Sequence, residues 1–248
     1  MAKQRFGQHF LIDSSVAKRE VAYATLTKND VVLEIGPGKG IITRLLAQQA
    51  KQVIAIEIDK RLVEQLKTTL PENVTLICHD ALSVDFKTLP TYTKIVSNLP
   101  FEISSPIMFK FLESTFSKAI LIFQKDFALR LVASPGTKEY SRLTVGVSYK
   151  AGCRILEDVP RSCFSPAPTI DASIVELIPY TEPKFTVENE QFFLTLTKQL
   201  FTHRRKKIRY TIKSEYGDID QLPYLDLRVE DLTAEQIGEL SNELYHLI

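Results

Sequence analysis

The sequence has few of the residues that build disulfide-stapled or membrane-spanning proteins. Its 248 residues include three cysteines and no tryptophan. Cys78, Cys153 and Cys163 cannot form a closed disulfide framework, and they lack the close pairing of a zinc site. There is no run of about eighteen apolar residues, and no continuous apolar stretch follows the first residues, so neither a membrane span nor a secretory signal is expected. We therefore expect a cytoplasmic protein.

Excess charge of one sign is also lacking, which at first argues against a polyanionic partner. The chain has 31 basic and 30 acidic side chains, for a formal net charge of +1. From Glu215 onward, nine acids stand against one base, Arg228, so this tail carries −8 and residues 1–214 carry +9. The small total is a cancellation between a basic portion and an acidic tail, and it does not exclude nucleic acid.

Five short runs rich in β-branched residues alternate with helical patterns in the first half of the chain. The runs are Val31–Ile35, Val53–Glu57, Val74–Ile77, Lys94–Ser97 and Ala119–Phe123. Nearly continuous apolar character is typical of strands buried on both faces of a parallel sheet. Between the second and third runs, leucines recur every fourth residue, as on a helix. The alternation predicts an α/β fold with a Rossmann-like, doubly wound sheet.

The second half of the chain predicts the end of this sheet and then a helical appendage. Leu143–Tyr149 and Ala172–Ile178 have strand-like patterns, and we expect one of them to be antiparallel. Prolines at both ends of 179–183 indicate a linker. Beyond it the spacing is helical, and Thr233 with Gln236 predicts a capping box at the start of the last helix. The predicted domains are therefore 1–180 and 181–248.

A glycine-rich loop follows the first predicted strand. Gly36 and Gly38 allow a tight turn and a close approach to a ligand. Glu57, nineteen residues after Gly38, can accept the two ribose hydroxyls of an adenosine-bearing cofactor. Asp80 can accept from an adenine amine, or it can cap a helix. The glycine spacing departs from the dinucleotide fingerprint, and the acid Glu34 suits a cationic cofactor; a structural turn with a solvated acid is the alternative.

The segment Asn98–Leu99–Pro100–Phe101 follows the fourth predicted strand. Its groups are suited to binding the amino group of a conjugated base. The side-chain oxygen of Asn98 and the backbone carbonyl of Leu99 can accept both amine hydrogens, and Pro100 restricts the direction of that carbonyl. Phe101 provides a flat face for a base taken out of its stack. A tight turn with a buried aromatic is the alternative interpretation.

The order of these motifs resembles that of the class I S-adenosylmethionine-dependent adenine-N6 methyltransferases. More specifically, the chain resembles the KsgA-type ribosomal RNA adenine dimethyltransferases along its whole length. Three further segments match that family: Phe6–Leu11 its N-terminal cofactor motif, Phe164–Pro168 a second target-base motif, and Phe201–Arg209 its basic helix.

The resemblance implies S-adenosylmethionine as cofactor and assigns site residues. The implied cofactor contacts are His9, Leu11, Gly36, Gly38, Glu57, Asp80 and Asn98. The implied catalytic segment is Asn98, Leu99, Pro100 and Phe101, with Phe101 and Phe164 stacking on the target base. His9 occupies a position that is asparagine in most bacterial members, and Phe101 is tyrosine in many members. The histidine makes this sequence more similar to archaeal or eukaryotic members. Loss of the tyrosine hydroxyl leaves stacking intact, since stacking uses the ring.

A run of six cations in ten residues predicts an RNA contact in the C-terminal domain. The residues are Arg204, Arg205, Lys206, Lys207, Arg209 and Lys213. On a helix, three of them share one face while Ile208 and Ile212 face the core. We expect this helix to hold phosphates, with Lys3 and Arg5 extending the basic track. A merely solvated surface is the alternative.

The resemblance implies dimethylation of two adjacent adenosines in the 3′-terminal stem-loop of small-subunit ribosomal RNA. We expect a monomer that acts on this RNA or on a pre-ribosomal small subunit, without a membrane or a metal. One alternative is an assembly factor that acts mainly by binding. Another is a large-subunit methyltransferase conferring antibiotic resistance, although Leu99 stands where isoleucine is common in such enzymes. A nicotinamide-dependent dehydrogenase fits worst.

Overall fold

The computed structural model describes residues 8–248, which form two compact units. The first unit holds the chain up to Ala128 together with Cys153–Pro179, and the second holds Leu129–Gly152 together with Tyr180–Ile248. The predicted boundary at residue 180 coincides with the last passage of the chain between the units. Leu129–Gly152, however, belongs to the second unit rather than to the domain in which we expected it.

A mixed β-sheet forms the centre of the first unit. The strands are β1 (Phe10–Leu11), β2 (Val31–Ile35), β3 (Gln52–Glu57), β4 (Val74–Cys78), β5 (Lys94–Asn98), β6 (Lys118–Gln124), β7 (Ala151–Val159), β8 (Phe164–Ser165) and β9 (Ala172–Pro179). Seven of these described strands pair in the order β4-β3-β2-β5-β6-β9-β7, while β1 pairs with β8. Strands β2 to β6 are mutually parallel, and β9 is antiparallel to β6. The five predicted parallel strands are confirmed, each to within one residue.

Helices follow the parallel strands, as the alternation predicts. They are α1 (Ser14–Tyr23), α2 (Ile41–Gln49), α3 (Lys60–Lys67), α4 (Ser104–Leu112) and α5 (Lys125–Leu131). Asp13 and Asp59 cap α1 and α3 by accepting backbone N–H groups, which helix N-termini otherwise leave unpaired. One buried apolar cluster lies between α1, α2 and the sheet. Because the strand order reverses between β2 and β5, a crevice opens at their carboxyl ends.

The second unit is helical. It contains α6 (Arg142–Lys150), α7 (Glu190–Thr202), α8 (Ile208–Tyr216) and α9 (Ala234–Leu247), together with the end of α5. Its core is a separate cluster in which Val145 and Tyr149 pack with Phe193 and Leu240. The predicted capping box is confirmed, because the Thr233 and Gln236 side chains each accept the other's backbone N–H.

One predicted strand is wrong. Leu143–Tyr149 lies within helix α6 and not in the sheet. The run is apolar because α6 is buried in the second unit, and a short apolar run cannot by itself distinguish a buried helix from a buried strand. Ala172–Ile178 is confirmed as the antiparallel strand β9, whereas β7 was missed. Within residues 8–248, no helix combines the length and apolar character needed to cross a membrane.

Candidate active site

The carboxyl ends of β2, β3, β4 and β5 meet around one pocket in the first unit. The predicted residues that line it are His9, Leu11, Gly36, Gly38, Glu57, Asp80, Asn98, Leu99, Pro100 and Phe101. It contains about 1020 Å³ of space free of protein atoms, part of it open to solvent. Concave sites that bring a few polar groups together among apolar walls are the usual places for small-molecule ligands.

Both predicted loop glycines adopt left-handed backbone conformations. The φ angle is +70° at Gly36 and +56° at Gly38. A Cβ atom at Gly36 would lie 3.2 Å from ring carbons of Pro100, and one at Gly38 would lie 3.0 Å from a ring carbon of Phe10. Any other residue would therefore strain the turn and displace a neighbouring wall of the pocket.

Glu57 ends β3 and faces the pocket with only 3% of its surface exposed. One carboxylate oxygen accepts the Gly38 N–H at 3.3 Å, and the other accepts the Asp59 N–H at 2.9 Å. Burial raises the pKa of Glu57, and the backbone donors partly offset this effect. Since a carboxylate offers about four acceptor positions, two remain for hydroxyl groups of a ligand.

Two further acids of this unit, Glu34 and Glu20, are almost completely enclosed. Glu34 on β2 has one carboxylate oxygen without a hydrogen-bond partner, and on α1 both oxygens of Glu20 lack one within residues 8–248. Burial is the main cause that raises the pKa of Glu34 to about 8, and the charge of Glu57 adds to it. The pKa of Glu20 lies well above its ordinary value for the same reason, with Glu34 contributing. Neither acid forms an ion pair with a described residue, and burial favours the uncharged form of each.

The loop after β4 carries Asp80 and is held by a residue that the sequence pattern did not reveal. One oxygen of Asp80 accepts the Leu82 N–H at 2.9 Å, which is the local turn that capping residues make. The Lys110 ammonium donates to the carbonyls of Ala81 and Leu82, each at 2.9 Å, and also to that of Val84. Lys110 is the one charged residue of α4. That isolated charge was the feature of the sequence that could have identified Lys110 as a residue with a specific role.

The predicted Asn98–Phe101 segment begins at the last residue of β5. The Oδ1 atom of Asn98 is buried and has no hydrogen-bond partner within residues 8–248, although Asn98 lines the pocket. A buried amide oxygen without a donor is unfavourable by about 1–3 kcal/mol. The Ser97 hydroxyl, one residue earlier, donates to the Ile35 carbonyl at 2.6 Å and so fixes β5 against β2. The pocket therefore presents a rigidly placed acceptor that needs a donor.

Aromatic rings from two other parts of the chain contact Phe101. His9 stacks on Phe101, with the ring centres 5.8 Å apart and the ring planes at 27°. The Nδ1 atom of His9 donates to the Pro166 carbonyl at 2.7 Å. The Phe164 ring meets Phe101 edge-on at 6.2 Å. Phe164 is 2% exposed and is absent from the described pocket lining, so it supports Phe101 from behind. Its role as a stacking wall stays a prediction.

Pairing of β1 with β8 brings the N-terminal motif to the second target-base motif. Leu11 lies opposite Phe164, and Phe10 lies opposite Ser165. This pairing explains how residues more than 150 positions apart share one site. The start of the N-terminal motif, Phe6 and Gly7, lies outside the described residues, as do Lys3 and Arg5.

The basic segment belongs to the second unit, and the continuous helix predicted for it is wrong. Helix α7 ends at Thr202, residues 203–207 form a turn, and α8 begins at Ile208. The Ile208 N–H donates to the Leu227 carbonyl at 2.9 Å, which anchors the start of α8 to the returning chain. Lys206 therefore lies outside the helix. Ile208 and Ile212 are buried, as predicted.

Most of the six cations are paired with acids of the C-terminal tail. The pairs are Arg204–Glu230 at 2.7 Å, Lys207–Asp226 at 3.3 Å, Arg209–Asp220, and Lys213–Asp218 at 2.7 Å. Arg204 also donates to two backbone carbonyls, which makes it a structural residue of this unit. Within residues 8–248, Arg205 and Lys206 form no ion pair, and both side chains are exposed.

The fold is that of a class I S-adenosylmethionine-dependent methyltransferase. Three features define it: the strand order with β9 antiparallel to β6, the glycine turn, and the acid at the end of β3. Within that class, the family model described as ribosomal RNA adenine dimethylase matches residues 1–246, and the chain belongs to this family.

Individual relatives agree with this assignment. The chain is 44% identical over 255 residues to a Methanosarcina mazei protein named "Probable ribosomal RNA small subunit methyltransferase A", covering 98% of this chain and 93% of the relative. It is 42% identical to a protein of the same name from Methanococcus maripaludis, covering 98% and 96%. The expected archaeal kinship is thereby confirmed.

Two solved structures share the fold over nearly the whole chain. A dimethyladenosine transferase from Plasmodium falciparum has a TM-score of 0.81 and 27% identity, covering 96% of this chain and 98% of that one. The 23S rRNA methyltransferase ErmE has a TM-score of 0.69 and 27% identity, covering 95% and 99%.

Proposed function

We propose that this protein transfers methyl groups from S-adenosylmethionine to N6 of two adjacent adenosines in the 3′-terminal stem-loop of small-subunit ribosomal RNA, giving N6-dimethyladenosine during small-subunit biogenesis. Family membership and the names of the relatives support the reaction and the subunit. The observation that carries the proposal is the Oδ1 atom of Asn98, an acceptor buried at the pocket without a donor. An amine in the pocket supplies that donor.

The residues around the pocket fit S-adenosylmethionine. Glu57 retains acceptor positions for ribose hydroxyls, and the turn at Gly36 and Gly38 admits a ligand where a Cβ atom would be excluded. Asp80 lines the same pocket as an acceptor for the adenine amine. When bound, S-adenosylmethionine supplies a methyl group already activated by the charge on its sulfur.

The Asn98–Phe101 segment prepares the target amine. The lone pair of an adenine amine is delocalised into the ring, which makes it a poor nucleophile. Asn98 Oδ1 and the Leu99 carbonyl accept its two hydrogens, favour a tetrahedral nitrogen and aim the lone pair at the methyl group. Pro100 limits the direction of the Leu99 carbonyl. Phe101 stacks on the base, with His9 and Phe164 holding its ring.

The test is methyl transfer to unmethylated small and large ribosomal subunits, with a labelled cofactor and mass-spectrometric mapping of the products. Asn98→Ala should reduce transfer by about 10²–10³-fold, because one positioned acceptor is lost. Asn29→Ala, at an exposed asparagine of the same unit, is the matched control and should leave the rate unchanged. A wild-type rate in Asn98→Ala would refute the mechanism.

The similarity to ErmE favours one second candidate, methylation of large-subunit RNA. The mapping experiment separates the two candidates, because a large-subunit methyltransferase would place the label in the large subunit only. The assembly-factor alternative predicts binding to pre-subunits without release of S-adenosylhomocysteine. Action as a monomer in the cytoplasm stays a prediction.

A further inference from the structure

Two cations in the turn between α7 and α8 differ from the rest of the basic segment because no acid among residues 8–248 neutralises them. Arg204, Lys207, Arg209 and Lys213 each contact a carboxylate of the tail. Arg205 and Lys206 are exposed and contact none within residues 8–248. The local charge available to an anionic partner is therefore concentrated on two adjacent residues.

An exposed aromatic ring lies beside Lys206, one of these two cations. Tyr210, in the first turn of α8, has half of its surface exposed (50%), whereas Ile208 and Ile212 of the same helix are buried. Its hydroxyl makes no hydrogen bond with a described residue, so neither core packing nor a polar contact accounts for a tyrosine here.

Two neighbours orient the Tyr210 ring without covering it. His203 meets it edge-on, with ring centres 5.3 Å apart and planes at 70°. The Lys206 ammonium lies 5.6 Å from the ring centre, near the outer limit of about 6 Å for a cation–π contact. A lysine held this weakly can turn to a phosphate while the ring stays in place.

We propose that Tyr210, oriented by His203, is a stacking platform for an unpaired base of ribosomal RNA, and that Arg205 and Lys206 hold the phosphates beside that base. This inference rests on the proposed function, because it takes the RNA substrate from it. Proteins read RNA mainly at splayed bases stacked on aromatic rings, with cations on the backbone. An aromatic ring beside Lys206, one of the two cations that no described acid neutralises, matches that chemistry.

The test compares Tyr210→Ala, Tyr210→Phe and Lys206→Gln in the full chain. The probes are unmethylated small subunits, for KM and kcat, and protein-free small-subunit RNA, for equilibrium binding. Tyr210→Ala should raise KM and weaken RNA binding about 5- to 30-fold, as expected for one lost stacking contact, with kcat and cofactor affinity unchanged. Tyr210→Phe should stay within about twofold, because the ring is retained. Lys206→Gln should weaken RNA binding and lower its salt dependence.

Tyr245 provides a matched control. It lies on α9, is similarly exposed (41%), and has its ring against Phe192 at 5.3 Å. Tyr245→Ala should leave KM and RNA binding unchanged, and urea unfolding should show that Tyr210→Ala remains folded.

Three results would overturn the inference. Wild-type KM and RNA affinity in Tyr210→Ala would exclude the platform. Equal defects in Tyr210→Ala and Tyr210→Phe would assign the contact to the hydroxyl instead of the ring. A higher KM on subunits with unchanged binding of protein-free RNA would identify a ribosomal protein as the partner. If wild-type protein binds RNA but transfers no methyl group, the proposed function fails while RNA binding still tests the platform.

Discussion

The two units differ in the burial and in the ion pairing of their charged side chains. In the first unit, Glu20 and Glu34 are buried without an ion-pair partner among the described residues, and the Oδ1 atom of Asn98 lacks a donor. In the second, the cations are mostly exposed, yet four of the six contact tail carboxylates. Charge in a sequence thus indicates a ligand only where the fold leaves it without a partner.

The largest expected effect is at Glu57, which tests whether the acidic pocket binds the cofactor. Glu57→Ala removes the charged acceptor of the ribose hydroxyls, and hydrogen bonds to a charged group contribute about 1.5–3 kcal/mol. We expect S-adenosylmethionine to bind about 100-fold more weakly, equivalent to about 2.7 kcal/mol. Glu57→Gln keeps one acceptor and should lose less. Titration calorimetry measures both variants, and wild-type affinity in Glu57→Ala would remove the ribose assignment.

The buried acid Glu34 should make the stability of the ligand-free protein depend on pH. Its pKa rises from an ordinary 4.5 to about 8 on folding. Between these values the folded state binds more protons than the unfolded state, so the free energy of unfolding falls as pH rises, by up to about 1.4 kcal/mol per pH unit. Glu34→Gln cannot ionise, and its stability relative to wild type should increase from pH 5.5 to 7.5.

Urea unfolding at pH 5.5, 6.5 and 7.5 measures this difference. Glu64→Gln is the control, because Glu64 is exposed on α3 and pairs with Lys67 at 2.7 Å. If the curves of wild type and Glu34→Gln stay parallel over this range, the buried acid does not ionise as described.

Lys110→Met should produce a smaller effect, through the loop that carries Asp80. The substitution removes the donor shared by three loop carbonyls while keeping the length of the side chain. We expect S-adenosylmethionine to bind about 10-fold more weakly, equivalent to about 1.4 kcal/mol. Lys67→Met, at an exposed lysine of α3, should bind it normally. Equal affinity in both variants would show that Lys110 does not position the loop.

The smallest expected effect compares paired with unpaired cations in the second unit. Replacing Arg205 and Lys206 together by glutamine should lower the slope of log affinity against log salt by about 1.5, since each phosphate contact contributes about 0.7–0.9. Replacing Lys207 and Lys213 by glutamine removes the same charge but should change the slope by less than about half as much. Equal changes would show that tail carboxylates do not neutralise the paired lysines.

Local patterns in the sequence were sufficient for the parts of the fold that depend on neighbouring residues. The five parallel strands, the turn at Gly36 and the capping box at Thr233 all follow from runs of a few residues, and the structure shows each of them. The residues of the pocket could also be chosen, because strands of a parallel sheet end at a common edge.

What the sequence did not reveal depends on contacts between distant segments. Helix α6 resembles a strand because its apolar run is buried by the second unit. The start of α8 is set by backbone hydrogen bonds from Ile208 and Arg209 to the chain near Leu227, and no residue in the basic run indicates them. Neutralisation of Arg209 likewise requires the chain to fold back so that Asp220 lies beside it. The spacing between two residues does not predict such a return.

The pairing of β1 with β8 also sets an order of events during synthesis. Phe10 and Leu11 find their partners only at Ser165 and Phe164, two-thirds of the way along the chain. On a translating ribosome, the glycine turn, Glu57 and Asn98 are made before β8. Until β8 is made, β1 has no partner strand to hold His9 beside Phe101. Every shorter nascent chain lacks that wall of the pocket, so the site is completed only after residue 166 has been made.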